Sequence, residues 1–491
     1  MSEKYINAFP GYEYKMLEDG SYHNMYRGVD LGKGGWVYSE PGIYSNVVLL
    51  DIQSLHPHSI VALNKLGEYT QNYADLLRAR VLIKEKKFDE AKKLYDGRLA
   101  KYLESTDEAK ALSKALKLPL NAFFGISFAT FKNPARDSRD KNNIIALRGA
   151  LFMKTLFDEV RARGYSIRHV KTDSVKVSNG DFEIIKFIQD FAKKYGYVME
   201  HEATYERMCL IDNAQYVAAY MRPEECMKRY GYVPGDNEDH FRDHDHPWTT
   251  TGKEFQQPYI FKTLFSGEVP SFDDCCETKS VKDAAIYLDM NEGLPDASIY
   301  EKELERRLYN ATHEEGKKKL NPNLSSMSIE DIDKKISEGH DYNFVGRVGR
   351  FYPVKPGSGG GMLMVYRKDK YDSVSGAKGY RWLEAEKVKA LGKESDLDPL
   401  YHEEQVDEAI AFVNKFGSFE RFIDLSRPYE PPEQTDIPEA TDDDSVPWTD
   451  LPAVVPCGDP KYNTCLECPN CKDDICRSGY SLNAYIEKGG I

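Results

Sequence analysis

Two β-rich segments, each carrying an aspartate, constrain the fold of this chain most. The first is SNVVLLD at residues 45–51, an apolar and β-branched run that follows a Pro-Gly pair. The second is SIRHVKTDSVKV at residues 166–177, which has the pattern of a strand, a turn and a second strand. Both patterns predict strands of a sheet, because branched side chains fit a half-buried pleated surface. We therefore expect Asp51 and Asp173, which are distant in sequence, to be mounted next to each other.

Helical sequence lies between these two segments. Residues 72–95 and 107–116 are rich in Leu, Ala, Lys, Arg and Glu, which predicts two helices joined by a short turn. A further helix is predicted at residues 143–163. Pro119 should kink a helix that continues through it, because its ring removes one main-chain hydrogen bond. The chain therefore alternates helix and sheet around the two aspartates.

Length and composition describe the rest of the chain. At 491 residues it exceeds a single core, which predicts about three structural units. Residues 428–448 hold five prolines and many acidic side chains, which is typical of a linker. The sequence has neither the ~18 consecutive apolar residues of a membrane helix nor the pattern of a secretory signal. We therefore expect a cytoplasmic protein with no membrane partner.

Charge and cysteine content bear on its ligands. The net charge of −14 argues against nucleic-acid binding by the whole chain, but much of the acid lies in the C-terminal region. Four cysteines near the C-terminus follow the spacing C-x2-C-x2-C-x4-C, namely Cys465, Cys468, Cys471 and Cys476. This spacing predicts a Zn²⁺ site or an iron–sulfur cluster, and a tail of free reduced cysteines is the alternative.

Two neighbouring carboxylates suit phosphoryl transfer. That chemistry asks for metal ions that activate the attacking oxygen and stabilise the leaving oxygen, rather than for covalent catalysis. Mg²⁺ prefers carboxylate oxygen ligands. Asp51 and Asp173 are therefore the candidate catalytic residues and the candidate ligands of two Mg²⁺ ions.

The sequences around these residues resemble three motifs of family B DNA polymerases. DIQSLHPHSI, which starts at Asp51, resembles motif A (DxxSLYPS), and KTDS, which contains Asp173, resembles motif C (DTDS). KLPLNAFFG at residues 117–125 lies between them and resembles motif B (KxxxNSxYG). The order is that of the family, and the resemblance, to its phage enzymes, spans about residues 25–425.

The resemblance implies an α+β right-hand fold with an antiparallel-sheet palm, helical fingers and a thumb. It also implies a division of the chain into segments. These are an N-terminal lead-in (1–42), palm with motif A (43–70), fingers (71–120), palm with motifs B and C (121–225), thumb (226–426), acidic linker (427–456) and Cys-rich tail (457–491).

The resemblance implies a nucleotide site built from motifs A and B and from the fingers. Arg80 and Lys84 are four residues apart on one helix face, and antiparallel helices would direct them and the motif B residues at one triphosphate. The implied nucleotide-binding residues are Ser54, Leu55, His56, Arg80, Lys84, Lys117 and Asn121. His56 stands where the family has a tyrosine that excludes a ribose 2′-hydroxyl.

The resemblance also implies contacts with primed template DNA. NAQY at residues 213–216 resembles the KKxY element that approaches the primer end. Basic residues interleave with aromatic ones in 344–357 and 375–388, as on a surface that grips phosphates. The implied DNA-binding residues are Thr172, Tyr216, Arg347, Arg350, Lys378 and Arg381.

Several residues depart from the family pattern and keep two alternatives open. Lys171 replaces the first aspartate of motif C, and Ala122 and Phe124 replace a serine and a tyrosine of motif B. One alternative is a polymerase-like subunit that binds DNA without catalysis. The other, based on His56, is an enzyme that makes RNA primers or extends a strand without a template.

The short region before motif A predicts that another polypeptide supplies the proofreading exonuclease. Only 50 residues precede Asp51, too few for the family's proofreading exonuclease, so we expect no exonuclease domain. A separate exonuclease subunit or the other half of a split polymerase is the expected partner. The expected activity is primer extension from deoxynucleoside triphosphates during phage replication in a bacterial cytoplasm.

Overall fold

The structure is a computed structural model that describes residues 9–16, 20–129, 131, 133, 143–291, 298–313, 317–321, 324–377 and 379–429. Its chain divides into a first unit, Met1–Thr251 with Val413–Ile491, and a second unit, Gly252–Phe412. The four clustered cysteines and Lys378 lie outside the described residues. Their predicted roles therefore stay predictions.

The strands follow the apolar and β-branched runs of the sequence. They are β1 (Tyr12–Met16), β2 (Tyr22–Tyr26), β3 (Val29–Asp30), β4 (Val37–Ser39), β5 (Gly42–Ile52), β6 (Ser166–Lys171), β7 (Ser174–Ser178), β8 (Met199–Leu210), β9 (Tyr216–Tyr220), β10 (Trp248–Thr251), β11 (Glu277–Ser280), β12 (Ala285–Asp289), β13 (Tyr342–Gly346), β14 (Val348–Val354), β15 (Met362–Arg367), β16 (Lys370–Ser373) and β17 (Arg381–Glu384). The predicted strand at 45–51 and the predicted hairpin at 166–177 are confirmed as β5, β6 and β7.

Helices occupy the sequence between the strands. They are α1 (Leu55–Ala62), α2 (Thr70–Lys84), α3 (Phe88–Ala91), α4 (Thr106–Phe128), α5 (Ile144–Ala162), α6 (Phe182–Lys194), α7 (Pro223–Tyr230), α8 (Gly235–Asp243), α9 (Lys253–Gln256), α10 (Pro258–Phe261), α11 (Ser298–Thr312), α12 (Ile329–Glu338), α13 (Ala385–Ala390), α14 (Pro399–Asn414) and α15 (Phe419–Ile423). The mixture of helices with antiparallel sheets confirms the α+β class. No described helix combines the length and the apolar character needed to cross a membrane.

A seven-stranded antiparallel sheet organises the first unit. Its strand order is β10-β9-β8-β5-β7-β6-β4, so β5 lies at the centre. Side chains alternate between the two faces of a strand. Val48, Leu50 and Ile52 pack in one core with residues of α5 and α6, whereas Leu49 belongs to a second core. Asp51, two residues after Leu49, therefore lies on the face opposite to α5.

The helices between the two aspartates differ from their predicted bounds. The predicted helix at 72–95 ends at Lys84, and Tyr95 and Asp96 adopt left-handed backbone conformations with φ of 52° and 55°. The second predicted helix, 107–116, continues through Pro119 to residue 128. Ala115, whose carbonyl loses its partner at the proline, is exposed, so water can replace the missing hydrogen bond.

A buried arginine fixes the C-terminal part of the first unit on its sheet. Arg207 of β8 is 1% exposed, and its guanidinium donates to four backbone carbonyl oxygens. These belong to Arg421 (3.2 Å), Phe422 (3.0 Å), Asp424 (3.0 Å) and Arg427 (2.7 Å). The Phe422 ring also lies 5.4 Å from that of Trp248 on β10. The returning chain thus packs beside the strand from which it left.

The second unit contains two small antiparallel sheets. One has the order β11-β14-β17 and the other the order β13-β12-β15-β16. Ile286 and Leu288 of β12 pack in one core with Phe351 and Trp382. One face of β12 is therefore committed to the interior of this unit.

An ion-paired histidine closes one end of β12. The Nδ1 atom of His340 lies 2.6 Å from a carboxylate oxygen of Asp289, which is 1% exposed, and its Nε2 atom lies 3.3 Å from Glu301. These two carboxylates raise the pKa of His340 to about 9. The imidazolium is therefore the stable form at neutral pH.

This ion pair predicts that alkaline pH weakens the second unit. A raised pKa means that the contribution of His340 to stability is complete below its unfolded pKa of about 6.5 and is lost as the pH rises through about 9. We expect backbone hydrogen exchange in β12 and β13 to become faster over this pH range, by more than the intrinsic pH dependence of exchange. The increase should correspond to a loss of about 1–3 kcal/mol in the free energy of opening these strands. His340→Gln should remove the pH dependence; an unchanged profile in that variant would assign it elsewhere.

Candidate active site

The sheet brings Asp51 and Asp173 together. Asp51, near the end of β5, is paired with Ser174 at the start of β7. Asp173 precedes Ser174 in the β6–β7 turn, and its carbonyl oxygen accepts a 2.9 Å hydrogen bond from the N–H of Ile52. Asp51 on β5 and Asp173 immediately before β7 therefore lie at neighbouring positions of two paired strands. The expected juxtaposition is present.

The turn that carries Asp173 is tightly packed. Thr172 has φ of 61°, and its N–H donates to the carbonyl oxygen of Trp36 over 3.0 Å. A Cβ atom at Gly35 would lie 2.5 Å from the Thr172 side chain, so only glycine fits there. Thr172 thus holds the turn in place, and its contact with DNA stays a prediction.

Further acids extend the pair into an acidic cluster and were missed by sequence reasoning. Glu200 of β8 is paired with Asp51. Burial and the charges of Asp173 and Glu202 raise the pKa of Asp51 to about 8, and burial and Asp236 raise that of Glu202 to about 7. The alternating glutamates of MEHE at 199–202 were the available signal. The site concentrates negative charge.

A buried lysine beside this acidic cluster was also missed. Lys176 of β7 is 4% exposed, and its Nζ lies 3.2 Å from Nδ1 of His169 and 4.7 Å from the ring centre of Tyr216. Burial and Lys171 lower its pKa to about 8, whereas Asp51 and other acids of the cluster favour its charged form. Lys176 therefore supplies positive charge from the strand that follows Asp173.

Two cations of α2 face Ser54 and the acidic cluster. Arg80 of α2 donates to the hydroxyl of Ser54, a residue with φ of 62°. Lys84, one turn later, lies 3.2 Å from a carboxylate oxygen of Glu200 that also accepts a 2.8 Å hydrogen bond from Gln53. The structure thus places Arg80, Lys84 and Ser54 together beside the strand that carries Asp51.

The other predicted nucleotide-binding residues are arranged differently. The ring of His56 stacks on Phe124 with centroids 3.9 Å apart and planes 8° apart. Leu55 is 4% exposed and packs in the main core, so its side chain is not available to a nucleotide. Lys117 and Asn121 are exposed on α4, the helix that carries Phe124. Their predicted contacts with a triphosphate stay predictions.

The predicted DNA-binding residues also occupy distinct environments. Tyr216, at the start of β9, is half-buried beside Lys176. In the second unit, Arg347 and Arg350 are exposed. Arg381 instead donates to the carbonyl oxygens of Gly360 (2.9 Å) and Asn291 (3.3 Å), so its guanidinium holds two loops of that unit. The spacing of basic residues in the sequence does not predict contacts of this kind with loop carbonyls.

Asp51 and Asp173 are the carboxylates of the site that could hold the predicted Mg²⁺. No three His, Cys, Asp or Glu side chains among the described residues are grouped so that they could hold a metal ion. Mg²⁺ is commonly bound by one or two protein carboxylates, with substrate phosphates completing its shell. Burial raises the pKa of both Asp51 and Asp173, and the charge of Asp173 raises that of Asp51 further; a divalent cation would compensate both effects.

Comparison with solved structures reveals a distant likeness to a DNA polymerase. No protein-family model matches the sequence, and no curated protein matches it. The chain is similar to a solved structure of the family B DNA polymerase from the hyperthermophilic archaeon Pyrobaculum calidifontis, with 12% identity and a TM-score of 0.38. The match covers 80% of this chain and 48% of that polymerase, so the chain spans about half of its length.

Proposed function

We propose that this chain is a template-directed DNA polymerase of the family B type, with the first unit as palm and fingers and the second contributing the thumb. The observation that carries the proposal is the juxtaposition of Asp51 and Asp173 with Arg80 and Lys84 on the adjoining helix. Two acids with two nearby cations suit a reaction that moves a phosphoryl group.

The proposed reaction joins a deoxynucleotide to a primer strand. The primer 3′-hydroxyl releases its proton to water as its oxygen attacks the α-phosphorus; a new P–O bond forms, the bond to the β-phosphate breaks, and pyrophosphate leaves. Bound Mg²⁺ would lower the pKa of the 3′-hydroxyl and neutralise the leaving phosphate. Asp51 and Asp173 would hold the metal.

Arg80 and Lys84 of α2 would bind the triphosphate by giving up their present protein contacts. Arg80 and Lys84 contact Ser54 and Glu200, so a triphosphate must displace these contacts to recruit them. Guanidinium and ammonium groups bind phosphate oxygens through charge-assisted hydrogen bonds. Without nucleotide, Arg80 restrains Ser54 of motif A and Lys84 neutralises Glu200. With nucleotide bound, both cations would instead hold the leaving pyrophosphate.

Primer extension by the intact chain tests this proposal. A labelled primer annealed to a longer DNA template is incubated with Mg²⁺ and deoxynucleoside triphosphates. Template-dependent extension supports the polymerase. If folded protein binds the primed template but does not extend it, the non-catalytic subunit is the better assignment, and Lys171 in place of an aspartate would be its basis.

The stacked His56 predicts sugar selectivity. Phe124 fixes the imidazole by stacking, so the ring is a rigid obstacle where the resemblance places the sugar. We expect His56→Ala to raise ribonucleotide incorporation relative to deoxynucleotide incorporation by about tenfold. Phe124→Leu, which keeps the imidazole but removes its support, should give a smaller change. If wild-type protein already prefers ribonucleotides, the RNA-primer alternative is correct.

The biological setting is part of the same proposal. Phage replication in a bacterial cytoplasm, and an exonuclease on a separate polypeptide, would fit a polymerase chain of this kind. Co-purification from infected cells, followed by an exonuclease assay on the bound fraction, would test both expectations.

A further inference from the structure

Five aromatic side chains share one face of the four-stranded sheet in the second unit. The register pairs Tyr287 with Phe344, Asp289 with Tyr342, and Tyr366 with both Ala285 and Tyr371. Paired residues lie on the same face of a sheet. The resulting aromatic face consists of Tyr287, Tyr342, Phe344, Tyr366 and Tyr371.

The rings form a connected surface. Tyr342 and Tyr371 are stacked with centroids 3.6 Å apart, and Tyr287 lies 5.2 Å from Tyr371 and 5.5 Å from Phe344. Phe344 is 68% exposed and Tyr366 is 39% exposed. The opposite face of the same strands packs into the core through Ile286, Leu288, Leu363 and Val365. The aromatic face is thus rigidly supported from behind.

Basic residues collect at one end of this face. Residues 342–373 contain six basic and two acidic side chains, although the whole chain has a net charge of −14. Arg347 follows β13, and Arg367 and Lys368 lie at the β15–β16 turn; all three are exposed. Because Gly346 pairs with Ile286 and Tyr366 with Ala285, both segments flank the start of β12.

Exposed rings beside cations suit unpaired nucleobases. Every base has a flat π-surface that can stack on an aromatic side chain, and the adjoining phosphates are attracted to lysine and arginine. Bases within a duplex are already stacked on each other and cannot stack on these rings. Exposed aromatic rings that continue a connected aromatic face mark a binding site rather than a stabilising feature.

We propose that the aromatic face binds single-stranded DNA, with bases stacked on Phe344 and Tyr366 and phosphates near Arg347, Arg367 and Lys368. The stacking argument stands on the geometry of the second unit alone, whereas the choice of DNA rests on the proposed function. The strand held there would be an unpaired stretch of the template or a displaced strand.

Binding of fluorescein-labelled dT12 to the full chain, followed by fluorescence anisotropy without Mg²⁺ or nucleotides, tests this proposal. The double variant Phe344→Ala/Tyr366→Ala should weaken binding by at least about tenfold, because each stacked base contributes a comparable factor. Phe182→Ala, which removes a 47% exposed ring from α6 of the first unit, is the matched control and should leave affinity unchanged. An oligonucleotide with 5-iododeoxyuridine should crosslink to peptides of β13 or β15.

Several outcomes would overturn the proposal. These are absence of dT12 binding by the wild type, unchanged affinity in the folded double variant, or tighter binding of rU12 or a duplex than of dT12. A wild-type dimer that the double variant converts to monomers would assign the face to self-association instead. Asp51→Asn should retain dT12 binding, so loss of extension and loss of strand binding report on the two proposals separately.

Discussion

Asp51→Asn and Asp173→Asn are each expected to lower primer extension by at least about 10³-fold while the protein remains folded. Both substitutions remove a carboxylate that would hold Mg²⁺, and metal stabilisation of phosphoryl transfer amounts to several kcal/mol. Asparagine keeps the shape of the side chain. The loss therefore reports on charge and metal binding rather than on packing.

The same variants should not lose stability. Burial and the neighbouring Asp173 raise the pKa of Asp51 to about 8, so its ionised form is disfavoured in the folded protein. A neutral side chain removes that unfavourable interaction, and we expect unchanged or slightly raised resistance to urea. Asp190→Asn, an exposed change on α6, is the matched control and should retain full extension. Extension within tenfold of wild type in either active-site variant would contradict the proposed site.

Arg207→Met is expected to destabilise the first unit by about 3–5 kcal/mol. The variant keeps an apolar stem but leaves four backbone carbonyl oxygens without their guanidinium donor in a buried site. Unsatisfied buried acceptors and lost charge-assisted hydrogen bonds carry penalties of this size. Limited proteolysis within residues 413–429, together with urea unfolding, measures the effect.

A matched control separates the buried guanidinium from charge in general. Arg427→Ala removes a side chain that is 85% exposed but keeps the carbonyl oxygen that Arg207 binds. We expect a change below about 0.5 kcal/mol for this control. Equal sensitivity of the two variants to protease would mean that Arg207 does not hold the returning chain.

The sequence was informative wherever a short pattern determines local structure. The β-branched runs predicted β5 and the β6–β7 hairpin, and therefore the meeting of Asp51 and Asp173. The four-residue spacing of Arg80 and Lys84 predicted that they share a helix face, and both contact groups beside the site. Helix propensity was less reliable, because exposure of Ala115 lets α4 continue through Pro119.

Features that depend on tertiary contacts could not be predicted. Glu200 joins the site because β8 pairs with β5, and Lys176 is a functional candidate because burial places it against His169 and Tyr216. Arg381 has the sequence context of a phosphate ligand, yet backbone carbonyls engage it. Strand order and loop contacts determine the environments of these three residues, and neither produces a periodic pattern in the sequence.

The packing of Phe422 against Trp248 has an evolutionary consequence. The chain leaves the seven-stranded sheet after β10 and returns to pack against that same strand, so both attachment points of residues 252–412 lie near one edge. An insertion with neighbouring ends adds little loop-closure entropy for the host to overcome. Evolution could therefore replace residues 252–412 by another domain, and so change how the DNA strand is bound, without altering the seven-stranded sheet that carries Asp51 and Asp173.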